Sequence, residues 1–142
     1  MTKQVNFYVE SFIDEVYDSY GRIYQTSFVK ETHFEEVYLV ETTAGNIKCV
    51  GNQYLSLFKN NIGWIPLART LFEQIDTFKG SSIGDINGPV LLGIKRIEPM
   101  KFVCLSIEAE KYTSVEILTD KSEPIFIKTA WVLVELRRIV WR

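Results

Sequence analysis

Histidine is nearly missing from this chain; His33 is the only one. Cysteine occurs twice, as Cys49 and Cys104. Zinc and most transition metals need several imidazole or thiolate ligands at close spacing. Cys, His and carboxylates do not cluster at such spacing, so no metal and no other cofactor is expected. Two cysteines are too few for the disulfide framework of a small secreted domain. Both lie in apolar, strand-like runs, which points to buried free thiols and a reducing, cytoplasmic compartment.

Charge of one sign is also lacking. Sixteen Lys and Arg stand against eighteen Asp and Glu, a formal net charge of −2. That balance gives no whole-domain case for nucleic acid or for an anionic membrane. No apolar run reaches the length of a membrane helix, so no membrane partner is expected. Met1-Thr2-Lys3-Gln4 leads into an amphipathic strand, so no leader peptide is expected either. Internal repeats and low-complexity tracts are missing, which excludes solenoids and disordered linkers.

What is present is a core. The chain has 142 residues, 46% of them hydrophobic, enough for one ordinary domain. Period-two alternation recurs over 4–9, 53–59 and 102–108, the spacing of a strand with one buried face. Further strands are expected over 22–30, 36–42, 46–51, 90–97 and 112–118. A glycine turn at Gly45-Asn46 joins 36–42 to 46–51. A second turn covers 60–63. Phe12, Ile13, Val16, Tyr17 and Tyr20 fall at helical spacing, with Ser11 placed to cap and Gly21 to terminate. One short N-terminal helix is therefore expected over 12–20, with another turn of helix in 65–72, where Pro66 suits the first turn. Residues 31–35 read as a polar connector. Residues 78–89, rich in Gly, Ser and Asn, read as a mobile or functional surface loop.

The order Gly45, Ile47, Gly63-Trp64, Ala68, Leu71 resembles the central motifs of the Hint superfamily, the fold of inteins and hedgehog autoprocessing domains. Leu105-Ser106-Ile107-Glu108 and Ile117-Leu118-Thr119 are similar to its closing strands. The resemblance covers about 5–122 and implies a compact, curled, mostly β domain. In that family a Thr-x-x-His motif and a terminal His-Asn pair carry autoprocessing. Here the Thr slot holds Val50 and the His slot Gln53. The terminal slots hold Asp120 and Lys121, followed by Ser122. The family nucleophile has no counterpart, because Met1 stands where the strand begins. The resemblance thus implies a degenerate domain over 1–122 that does not splice. Because Hint elements travel in mobile DNA, it also implies a phage or viral assembly setting, with a virion location in that case.

Other candidate chemistry is sparse. His33 has no sequence partner. Cys49 or Cys104 would serve a thiol-dependent autoprocessing alternative only with a lowered pKa. Gly80-Ser81-Ser82-Ile83-Gly84-Asp85 lacks the Lys-Ser/Thr of a phosphate loop and precedes a strand. Glu108 and Glu110 share a strand face, and Glu35-Glu36 do not. Plentiful Tyr and Phe leave a single-stranded nucleic-acid binder as a third class.

Residues 123–142 form a C-terminal extension, packed on the same domain or on a partner. Ile125, Ile127 and the run from Trp131 to Leu136 alternate as strands. Arg137-Arg138 precede Ile139, Val140 and Trp141. The segment is either a last core strand or a docking element anchored by Trp131, Leu136, Ile139 and Trp141. The expected function is a non-enzymatic structural or protein-interaction module that binds a protein partner or a second copy.

Overall fold

The computed structural model describes residues 2–131. Strands dominate it. In chain order they begin with β1 (Lys3–Val9), β2 (Glu15–Tyr17), β3 (Ile23–Gln25), β4 (Ser27–Phe34), β5 (Val37–Thr42), β6 (Gly45–Val50), β7 (Leu57–Lys59) and β8 (Ile62–Trp64). Two short helices follow, α1 (Ala68–Glu73) and α2 (Ile75–Phe78). The rest are β9 (Ser82–Ile83), β10 (Leu91–Ile97), β11 (Met100–Ala109), β12 (Ser114–Leu118), β13 (Pro124–Lys128) and β14 (Ala130–Trp131).

The strands form several small sheets. One has the order β14-β1-β11-β4, and two more run β10-β5-β6 and β8-β7-β9. The pairs β12-β13 and β2-β3 are hairpins. Alternation in β1 puts Val5, Phe7 and Val9 inside, and the pairing with β11 sets Val5 opposite Ile107 and Phe7 opposite Leu105. These side chains join Val40, Ile47, Leu55, Leu57, Leu71, Ile83, Leu91, Ile125 and Ile127 in one core. Burying each such side chain is worth roughly 1.5–3 kcal/mol before chain entropy is counted. Ile125 and Ile127 place β13 in this core, and β14 pairs with β1 at Val5 and Asn6.

The helix expected over 12–20 is absent; the segment holds β2 and a turn. Only Val16 of its helical stripe is fully buried, while Phe12, Tyr17 and Tyr20 are exposed. Asp18 supplies the physical reason. Its carboxylate accepts the backbone N–H groups of Tyr20 and Arg22, both at 2.9 Å, the Arg22 Nε–H at 2.7 Å and the Tyr24 hydroxyl at 2.8 Å. An Asp that captures nearby backbone amides offers the chain an alternative to helix. The Thr26 hydroxyl donates to the Ile13 carbonyl and closes the segment from the other side.

The helix in 65–72 does form, as α1, two residues after Pro66. Leu67 offers no side-chain cap. Instead Ala68 N–H donates to the Gln53 carbonyl at 2.9 Å and Arg69 N–H to the Gly51 carbonyl at 3.0 Å. The turn between β6 and β7 thus satisfies amides that a helix start leaves unpaired. Arg69 also clamps Glu36, donating from Nε at 3.0 Å and from Nη2 at 2.8 Å.

Several boundaries differ from the sequence expectations. The β5–β6 loop is Thr43-Ala44, not Gly45-Asn46, since Thr42 already pairs with Gly45. The Thr42 hydroxyl holds that loop, donating to the Gly45 carbonyl and accepting from Ala44 N–H. Residues 31–35 are no connector, because pairing with β11 carries β4 through His33 to Phe34. Of 53–59 only 57–59 is a regular strand; Tyr54 makes single bridges to Leu67 and to Lys128. Residues 78–89 are anchored as well. Ser81 and Ile83 are buried, β9 pairs with β7, and Ile83 N–H reaches the Pro89 carbonyl.

Candidate functional site

The residues singled out by the resemblance, Val50, Gln53, Asp120 and Lys121, do not meet. Val50 is fully buried against Val37 and Phe102. Gln53 is 4% exposed. Its amide donates to the carbonyls of Tyr54 at 2.8 Å and Lys128 at 2.7 Å, and its oxygen faces Tyr8 N–H at 3.5 Å. Gln53 therefore pins three segments together. Asp120 lies in the turn of the β12–β13 hairpin, where it accepts the Asn46 N–H at 2.9 Å. Lys121 is exposed on the hairpin turn.

The other candidates are equally scattered. His33 sits on β4, 3.5 Å from Glu35. Cys49 and Cys104 are buried free thiols. Burial pushes the Cys49 thiol up to about 12, with the Glu10 charge adding to it, and burial raises Cys104 too. That is the reverse of the shift a nucleophilic thiol needs. Among the described residues no three His, Cys, Asp or Glu side chains gather as a metal site, and no helix is long and apolar enough to cross a membrane. Trp131 pairs through its backbone with Val5. Its side chain, and Leu136, Ile139 and Trp141 entirely, lie outside the described residues.

A different feature collects functional groups. A groove of about 460 Å3 runs between the segment after β1, strand β2, the start of β6 and the end of β12. Its walls are apolar: Val9, Val16 and Ile47 are buried, and Ile13 and Ile117 pack on the core beside them. Two large apolar side chains stand exposed along it, Tyr17 at 41% and Leu118 at 61%. Glu10, Glu15, Glu116 and Asp120 also line it, with Lys48 as the one cation. Lys48 already lies 3.5 Å from Glu10. Four carboxylates against one ammonium leave three negative charges around an apolar floor.

Close packing holds this geometry. Gly45 has φ +117°, and a Cβ there would stand 2.6 Å from Thr119 Oγ1 and 2.7 Å from Asp120 Oδ1. Thr119 in turn donates to the Ala44 carbonyl at 2.8 Å. The β5–β6 loop and the β12–β13 turn are thus locked together at one end of the groove. Across it, Asp18 bridges to Val115 and lays β2 beside β12. Glu10, Glu15 and Glu116 come from three separate elements with no shared sequence spacing. Of the four carboxylates, Asp120 alone stands at a position that the resemblance marks.

No protein-family model, no curated protein and no solved structure matches this chain.

Proposed function

We propose that this chain is a non-enzymatic protein-interaction module whose docking surface is the groove between β2, β6 and β12. Its occupant is a basic, partly apolar peptide segment of a protein partner. The groove's composition supports this reading. Apolar residues along the floor and rim favour burial of apolar side chains, and four carboxylates with one committed lysine favour Lys or Arg between them. An acidic or nucleic-acid ligand would meet like charge there. On this reading the Hint-like frame is kept as scaffold alone, with Val50 and Gln53 given over to packing and segment pinning.

The test is fluorescence anisotropy with a labelled peptide alternating Arg and Leu, beside its Glu-Leu counterpart. The basic peptide binds saturably and loses affinity as salt rises, and the acidic peptide does not bind. The double variant Glu15→Lys, Glu116→Lys reverses that preference. Equal binding of both peptides, or binding unchanged by the double variant, contradicts the proposal.

A further inference from the structure

A second pocket of about 190 Å3 opens at the opposite end of the β12–β13 hairpin. Two tight turns face each other across it. One is the Asp18–Arg22 turn, tied by the Asp18 carboxylate. The other is the 110–113 turn, where Tyr112 takes φ +63° and the Thr113 hydroxyl donates to the Glu110 carbonyl. Between them lies the cross-strand pair Ser114 and Lys128. Directly opposed residues of an antiparallel pair share a face, with Cβ atoms about 5 Å apart. The serine hydroxyl and the lysine amine therefore belong to one surface of the pocket.

The charges around it do not balance. Arg22, Lys111 and Lys128 are cationic, and Asp18 and Glu110 are anionic. Arg22 is spent on Asp18, with its Nε 2.7 Å from Oδ2. Glu110 and Lys111 each hold interactions of their own. Lys128 is left over: among the described residues its ammonium has no carboxylate or carbonyl partner. The backbone of Lys128 is immobilised, since its N–H donates to Tyr54 and its carbonyl accepts from Gln53. Burial lowers the pKa of its amine below the usual lysine value. A partly desolvated ammonium gains from any anion placed beside it. The volume equals about six waters at liquid density, which accommodates a small oxyanion with part of its hydration shell.

We infer that this pocket binds a small oxyanion, a phosphate or carboxylate group, through Lys128 with Ser114 beside it. The site is separate from the groove and does not depend on what the groove binds. A bound anion favours the charged amine, so it draws the lysine pKa back up.

The experiment follows the lysine side-chain Cε resonances of the full chain during titration with inorganic phosphate, and separately with acetate, at ionic strength fixed with chloride. Lys128 shifts saturably in the millimolar range and its titration midpoint rises, while the exposed Lys95 and Lys121 respond weakly and linearly. Lys128→Met keeps the aliphatic stem and removes the charge. It weakens binding about tenfold or more, in line with the loss of a hydrogen bond to a charged group. Lys128→Arg retains binding, and the amide spectrum of each variant reports its fold. Saturation by acetate as well as phosphate assigns a general carboxylate and phosphate site; saturation by phosphate alone narrows it to phosphate. A Lys128 response no larger than that of Lys95 to either anion overturns the inference. So does a folded Lys128→Met variant that binds as the parent does.

Discussion

Replacing Gln53 by Leu removes a buried amide while nearly preserving volume, so the cavity contribution is small. The lost interactions can be counted. The amide nitrogen serves the carbonyls of Tyr54 and Lys128, and the amide oxygen faces Tyr8 N–H at the long distance of 3.5 Å. The Tyr54 carbonyl keeps a second donor, Lys128 N–H at 3.2 Å. The principal cost is the Lys128 carbonyl, left without the Gln53 amide beneath a side chain that is 4% exposed. One buried group left unsatisfied costs about 1–3 kcal/mol and the weaker bonds add about 1 more, giving roughly 2–4 kcal/mol. For a domain of this size each kcal/mol moves Tm by about 3 °C, so the variant melts roughly 6–12 °C below the parent. Gln53→Glu is worse, because it presents a carboxylate to two carbonyl oxygens. Gln53→His offers only one ring N–H at neutral charge, so it melts between parent and Glu variant and stays at full mass. Thermal unfolding by circular dichroism, with intact mass alongside, checks all three. A Leu variant melting within 2 °C of the parent refutes the pinning role.

Acid unfolding follows Asp18 and Glu36. Burial alone would raise the Asp18 carboxyl, but hydrogen bonds from Arg22, Tyr24 and Tyr20 outweigh it and hold its pKa below the usual range; Arg69 and Tyr38 do the same for Glu36. Groups with depressed folded pKa values stabilise fully above their unfolded values, and that stability is lost as pH falls through the folded ones. Stability against urea is therefore level at neutral pH and falls below about pH 4, less steeply in Asp18→Asn, whose overall stability is lower; an unchanged acid limb in that variant contradicts the assignment. Ellman's reagent at pH 8 modifies neither Cys49 nor Cys104 in the native chain and both in denaturant, and rapid native labelling would contradict their burial. Gly45→Ala forces a Cβ against Thr119 at a positive φ and costs about 1–3 kcal/mol, read from urea midpoints; an unshifted midpoint would show that the two loops can separate.

Much of the β framework was legible because alternation is a local signal. Val5, Phe7 and Val9 announce β1, and the hairpin of β5 and β6 follows from two apolar runs and a nearby glycine. The helical stripe from Phe12 to Tyr20 misled because spacing does not reveal that Asp18 will capture its own backbone amides. The polar run Glu31 to Glu35 reads as a connector, yet pairing with β11 draws Glu31 to Phe34 into β4. Gly45 was visible as a turn glycine, but its closer constraint is Thr119, seventy-four positions away in the chain. The candidate site was hidden for the same reason. Glu10, Glu15 and Glu116 become neighbours only when β2 lies against β12, and nothing in their spacing records that contact.

The most direct test of the groove as docking surface is an amide chemical-shift titration of the isotope-labelled chain with the Arg-Leu peptide. The account predicts that the largest shifts fall on Ser11, Glu15, Tyr17, Lys48, Glu116 and Leu118, and that the Glu15→Lys, Glu116→Lys variant loses them while keeping its fold. Shifts concentrated on the outer strand β4 or on the exposed β8 edge at Trp64, or no saturable shifts at all, would contradict it.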